Sequence, residues 1–240
     1  MAKTLSAAQV IGIRHKVIAL AGAWAECIGE MDRHGVVFIW GNSGNGKTSA
    51  VVSLCKELTR FGKVLYVSLE EGVSLSFQNT LKRFGMDEVG AKFQVLESAT
   101  IEELSERLSK PKSPEFVVID SFQYMQMSYK SYIAFKEAHR NKLLILVSHA
   151  DGKQPAGRAA RSVKYDAGLK IWVEGYKAFS KGRFIGSTGE AVIWAKGADE
   201  YWGVKDGEKE TDNECTDNTI PAAEQEEYET AGYDDEDNES

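Results

Sequence analysis

Gly41-Asn42-Ser43-Gly44-Asn45-Gly46-Lys47-Thr48 has the spacing GxxxxGKT, and that spacing serves phosphate binding. Its glycines let the backbone curl until the N–H groups face a polyphosphate, and a helix starting here adds the positive end of its dipole. Lys47 then reaches the β/γ-phosphates, Thr48 offers its hydroxyl to Mg2+, and Ser49 follows at the same edge. The setting agrees: the apolar run Val36-Val37-Phe38-Ile39-Trp40 precedes the motif and a helix-like stretch over 49–56 follows it. ATP and Mg2+ are the implied ligands.

Two carboxylates belong with this loop. Phe116-Val117-Val118-Ile119-Asp120 reads as a buried strand ending in an acid, placed to bind Mg2+ through water. Glu70 closes the run Val64-Leu65-Tyr66-Val67-Ser68-Leu69, where a carboxylate can polarise a water beside the γ-phosphate. The bland reading of Glu70 is a solvated strand-end charge. Strand alternation lets only one of Glu70 and Glu71 face the site, and Glu70 is the expected one.

The elements that must carry these residues follow from periodicity. Residues 4–32 have apolar positions at helical spacing and predict one or two helices. Strands are expected at 36–40, 64–69, 93–96, 116–120 and 142–149, with helices at 49–56, 74–84, 101–108 and 132–140 between them. Thr100 and Glu103 form the start signal of the third of these helices. Continuously apolar strands alternating with helices predict an α/β fold whose mainly parallel sheet is covered on both faces. Its chemistry belongs at the carboxyl ends of the strands. Residues 151–161 read as a Gly-rich, basic, mobile loop. Period-two patterns over 168–174, 176–180 and 191–194 predict an antiparallel C-terminal extension. The expected organisation is a helical segment over 1–32, a nucleotide-binding core over 33–203 and an acidic, disordered tail over 204–240.

Composition narrows the setting. Cys27, Cys55 and Cys215 form no CxxC pair, so neither a zinc ribbon nor a disulfide framework is indicated, and a reducing cytoplasm is expected. No apolar run nears the roughly 20 residues of a membrane span. The net charge of −7 divides unevenly: residues 206–240 hold 15 acids and one lysine, leaving 1–205 at +7. A basic body suggests polyanion contact, while the tail modulates that contact, recruits a basic protein partner, or serves solubility alone.

The order of these pieces resembles the RecA-like superfamily, in the branch holding RadA/Sms, KaiC and the DnaB helicases. Val64-Leu65-Tyr66-Val67-Ser68-Leu69-Glu70-Glu71-Gly72 is similar to the RadA segment with its catalytic glutamate, and Ser68-Leu69-Glu70 also matches the DnaB form. Val117-Val118-Ile119-Asp120-Ser121-Phe122-Gln123 resembles the RadA Walker B strand, and Ser148-His149 the polar sensor after the fourth strand. Lys181-Gly182-Arg183-Phe184 resembles the KNRFG motif with Gly182 in place of Asn. The resemblance implies a ring or filament of identical subunits with ATP at their interfaces, where Lys181 and Arg183 of one subunit reach the next subunit's γ-phosphate and His149 couples nucleotide to DNA. It also implies DNA, expected to be single-stranded, on two loops: one carrying Tyr124 and Lys130, whose aromatics have core packing as the alternative, the other Lys153, Arg158, Arg161 and Lys164, with subunit-interface or nucleotide contacts as the alternative. Neither RadA's zinc motif and protease-like domain nor DnaB's helicase-interaction domain has a counterpart in this sequence. A KaiC-like ATPase that controls protein partners without DNA is the alternative.

A 35-residue random coil spans roughly 30 Å, enough for the tail to reach its own subunit's cations. Truncation after Gly203 is therefore expected to tighten DNA binding at low salt, with the gain shrinking as salt rises. Unchanged DNA affinity together with lost binding to another protein would identify the tail as a docking peptide.

Overall fold

The structure, a computed structural model, describes residues 4–203. The chain divides into one unit from Met1 to Lys205 and a second over Asp206–Ser240; the tail, with the disorder expected of it, lies outside the described residues.

The chain runs α1 (Ala7–Ile11), β1 (Val17–Ala19), α2 (Gly22–Ile28), β2 (Glu30–Asp32), β3 (Gly35–Gly41), α3 (Lys47–Leu58), β4 (Val64–Ser68) and α4 (Leu75–Arg83). A 3-10 turn (Met86–Lys92) then leads to β5 (Phe93–Leu96), α5 (Ile101–Ser109), β6 (Phe116–Asp120), α6 (Tyr129–Ala138), β7 (Leu143–Asp151) and β8 (Gln154–Pro155). The chain continues through α7 (Arg158–Asp166), β9 (Leu169–Glu174), β10 (Lys177–Gly182), β11 (Glu190–Val192) and α8 (Ala195–Trp202).

Val, Ile, Leu and aromatic runs in β3, β4, β6 and β7 leave no polar face for water, so these strands stack side by side under helices. The sheet order is β11-β10-β9-β3-β7-β6-β4-β5, parallel from β9 to β5 and antiparallel through β10 and β11. Alternation then builds two cores. Val37, Ile39, Tyr66 and Val118 pack with α2, α3 and Phe77 of α4 on one face. Phe38, Trp40, Leu65 and Ile119 pack with Leu104, Tyr132 and Val163 of α5, α6 and α7 on the other. Each fully buried Leu, Ile or Phe contributes about 1.5–3 kcal/mol of apolar burial, which is what holds the helices to the sheet.

Local signals fix the helix ends. Thr100 and Glu103 form the capping box foreseen for α5, and Ser74 caps α4. α6 starts three residues earlier than its apolar spacing predicts, because Ser128 accepts the N–H of Ser131 and draws Tyr129 and Lys130 into the first turn.

Three expectations are corrected. Residues 4–32 are not simply helical: β1 and β2 form a small antiparallel sheet, Ile18 facing Met31, and both side chains are buried. The stretch over 151–161 is not an irregular loop: Gly152 turns the chain so that β8 folds back on β7, and α7 begins at Arg158. The buried residues of α7 are Ala160 and Val163; alanine is too small to register as an apolar period, so the helix reads as a basic loop. Finally, β9 is parallel to β3, and the antiparallel extension begins only with β10.

Candidate nucleotide site

The strand order brings the carboxyl ends of β3, β4, β6 and β7 together, and with them the P-loop, Glu70, Asp120 and His149. Gly41 has no room for a side chain, since an added Cβ would lie 2.2 Å from the Val173 carbonyl oxygen. Gly46 caps α3 in the left-handed region at φ 87°, and an added Cβ there would lie 2.9 Å from the Tyr176 ring. The loop is therefore pressed against the turn between β9 and β10. That turn also holds it by hydrogen bonds: Gly175 N–H donates to Asn45 Oδ1 at 2.9 Å and Tyr176 N–H to the Asn45 carbonyl at 3.2 Å. Asn42, Ser43 and Gly44 complete the curl, and Lys47 Nζ folds back to donate to the Asn42 carbonyl at 3.0 Å. Burial holds the Lys47 amine below its ordinary pKa, an effect that Glu70 and Asp120 oppose. Thr48 stands beside Glu71, Oγ1 donating to Oε1 at 3.4 Å, and Ser49 lines the same cavity.

Asp120 is buried, and the hydroxyl of fully buried Tyr66 donates to its Oδ2. Burial pushes its carboxyl up to about 6; the Tyr66 hydrogen bond opposes this, Glu70 and Glu71 add to it, and Lys47 opposes it. Glu70 Oε2 lies 2.9 Å from His149 Nε2, both side chains about one-third exposed. Gln123 ties the neighbouring strand ends together: its amide donates to Ser148 Oγ at 2.8 Å and to the Ala156 carbonyl at 3.0 Å, while its Oε1 accepts the His149 N–H. A continuous polar path thus runs from Glu70 through His149 and Gln123 to the start of α7.

Alternation does not separate Glu70 from Glu71. β4 ends at Ser68, and Gly72 N–H returns to the Ser68 carbonyl, so both glutamates sit in a turn and both line the cavity. Tyr66, Tyr176 and Gln123 have no role that the sequence alone assigns. Tyr66 carries a signal, a hydroxyl inside an otherwise apolar strand that must find a partner. Tyr176 carries none, because its place depends on the β9–β10 turn meeting the P-loop.

Other candidate residues lie elsewhere. Lys181 pairs with Lys170, which is level with Phe38, and Arg183 follows beyond the end of β10. Arg183 lines a cavity at the amino ends of β3 and β9 with His34, Lys136 and Asp166, so neither cation lies at its own P-loop. Tyr124 is 56% exposed beside His149, ring centroids 6.5 Å apart. Lys130 is exposed on α6. The Lys153 carbonyl accepts Trp40 Nε1–H, Arg158 is exposed at the start of α7, and Arg161 faces Asp151 at 3.7 Å. Lys164 lies over the Trp40 ring with Nζ 4.4 Å from its centroid.

The donor set fits a metal nucleotide. Gly41 and Gly46, where an added Cβ would clash, form the cradle, and Thr48 and Asp120 could offer oxygens to Mg2+. Among the described residues no cluster of three or more His, Cys, Asp or Glu makes a protein-only metal cage; Mg2+ typically takes one or two carboxylates and leaves the rest to phosphate and water.

No protein-family model and no curated protein matches the sequence. Solved structures do match in fold. The crystal structure of flagellar accessory protein FlaH from Methanocaldococcus jannaschii is 14% identical with a TM-score of 0.53, covering 72% of this chain and 88% of that one. ATP synthase subunit NeqB from Nanoarcheaum equitans is 10% identical with a TM-score of 0.50 over 68% of this chain. The matched region spans 52% of the NeqB chain, about half its length. The class is therefore a RecA-like P-loop fold. Identities this low carry the fold and nothing finer.

Burial of Asp120 ties stability to pH. Its ordinary value of 3.8 applies to the unfolded chain and about 6 to the folded one, so the folded protein holds this proton more tightly. That contribution to stability is full below pH 3.8 and is lost as pH rises through 6, on the order of 3 kcal/mol in all. Asp120→Asn keeps an acceptor for Tyr66 and removes the titration. Without nucleotide, its urea midpoint is expected to exceed wild type at pH 8 and to converge with it near pH 4; an equal gap at both would exclude burial of the charge as the cause.

Proposed function

We propose that this chain hydrolyses ATP with Mg2+ and acts on DNA, single-stranded for preference, in recombination, repair or replication in the cytoplasm, as a member of the RadA, KaiC and DnaB branch. The observation that carries the reading is the convergence of P-loop, Asp120 and the Glu70–His149 pair on one cavity. Bound Mg2+ draws charge from the transferring phosphoryl group and steadies the leaving oxygen. Lys47 leaves the Asn42 carbonyl for the β/γ-phosphates, Thr48 and Asp120 hold the metal side, and Glu70 orients and polarises the water. His149 senses whether Glu70 is engaged and passes this through Gln123 to α7, whose start carries Arg158 and Arg161. Lys181 and Arg183 serve another subunit's phosphate, since strand register carries them away from their own. That requirement supports a ring or filament.

A second reading, an assembly ATPase that acts on protein partners, is favoured by the likeness in fold to the flagellar accessory protein FlaH. ATP turnover measured with and without single- and double-stranded DNA separates the two. Stimulation by single strands with salt-dependent binding supports the first; no DNA binding and no stimulation, with turnover changed by a protein partner, supports the second.

Lys47→Ala is expected to lose ATP binding and turnover, and Glu70→Gln to keep binding while slowing turnover by about 10²-fold or more. If Glu71→Gln slows turnover and Glu70→Gln does not, the two glutamates exchange roles. Arg183→Ala should bind ATP and hydrolyse it poorly, and mixing it with Glu70→Gln should recover activity. Co-assembled subunits that show no recovery would exclude catalysis between subunits.

A further inference from the structure

Like charges directly opposite across antiparallel strands repel each other. Lys170 of β9 and Lys181 of β10 are such a pair. Lys164 of α7 is close enough to feel both: burial lowers its pKa most, and Lys181 and Lys170 lower it further. None of the three has a carboxylate within ion-pair distance among the described residues. Nearby acids are engaged elsewhere: Glu174 accepts from Trp172 Nε1 and Tyr201, Asp166 holds Lys136, and Asp151 faces Arg161. Among the described residues the fold thus keeps three cations together at a cost and pairs none of them with a carboxylate; Lys164 donates instead to Gln154 Oε1 at 2.9 Å.

Strand alternation puts aromatic rings on the same face. Phe179 lies opposite Trp172 and shares its side of the sheet with Lys181, two residues on. Trp202 of α8, 45% exposed, meets Phe179 edge-on at 6.1 Å, and Lys177 Nζ lies 5.9 Å from the Trp202 ring. Cations beside exposed rings suit a single strand, because every base has a π-face and every linkage a phosphate. Lysines, as point charges, add affinity without base readout.

We propose that the face of β9 and β10 between α7 and α8 binds single-stranded nucleic acid, with Lys164 and Lys170 on phosphate oxygens and Trp202, backed by Phe179, stacking a base. The site rests on the DNA reading above but adds a sheet face to the strand-end segments considered there. Lys170 and Phe179 have no part in the nucleotide cavity, while Trp202 reaches it only through the Gly175 carbonyl, to which its Nε1–H donates at 3.2 Å.

The test uses the full chain, binding of labelled oligothymidylate across a salt series, thermal melting, and DNA-free ATP turnover. Lys170→Ala is expected to weaken binding several-fold and to flatten the log–log salt slope by about 0.7, one phosphate contact on a single strand. Its Tm should rise by about 1–4 °C, because a repulsive cross-strand pair is relieved. Trp202→Ala should weaken binding roughly tenfold at an unchanged salt slope, and DNA-free turnover should be unaltered in Lys170→Ala. Wild-type affinity and slope in both variants, with the wild-type protein binding the oligonucleotide, would overturn this site and leave the DNA reading standing. Absence of any wild-type binding would overturn both. Loss of DNA-free turnover in Lys170→Ala, recovered by mixing with Glu70→Gln, would assign the cluster to a second copy's nucleotide and reject nucleic acid as its ligand.

Discussion

The site depends above all on the parallel pairing of β3 between β7 and β9. Gly41 is level with His149 on one side, while Trp40 is level with Trp172 on the other. This register decides which residues meet the P-loop. A one-residue slip would exchange the two faces of β3, sending Val37 and Ile39 toward α7 and Trp40 toward α3. The close approach of Gly41 to the Val173 carbonyl permits no such slip with a side chain at that position. Sheet geometry and loop geometry are thus one constraint.

Around this scaffold the charges suit the proposed ligand, one that is both strongly negative and metal-bearing. Lys47 is partly buried and leans on a backbone carbonyl, a bond it could exchange for a phosphate at little loss. Asp120 is the reverse case, a carboxylate whose ionisation burial disfavours and whose charge Tyr66 steadies by a hydrogen bond. A divalent cation makes its ionised form favourable. Glu70 and His149 sit further out, where solvent still reaches them. Exposure thus rises from buried Asp120 to Glu70 and His149, a grading that suits the proposed metal nucleotide.

Much of this is legible in the residues. The P-loop, the Asp120 strand, the α5 capping box and the alternation of strand and helix follow from local chemistry, and each needs only a few neighbouring positions to be read. What escapes is non-local. The β9–β10 turn that clamps Asn45 lies 130 residues from it in sequence, and no periodicity foretells that meeting. The β1–β2 hairpin is hidden because three-residue strands are too short for alternation to stand out from helical spacing. α7 is hidden by glycines at its entry and by alanine on its buried face. Glu70 and Glu71 mislead because strand geometry does not extend two residues past the end of the strand.

Trp40 immediately precedes the P-loop, donates its indole N–H to the Lys153 carbonyl, and lies beneath the Lys164 ammonium with Trp172 5.5 Å away. An indole so placed is an optical gauge built into the chain. Its emission depends on the field of that ammonium and on its indole partner, so a displacement of β8 or α7 relative to the phosphate loop changes the light it gives out. The chain holds five tryptophans, so the coupling between the two ends of this path can be timed by stopped-flow fluorescence as the part of the signal that Trp40→Phe removes.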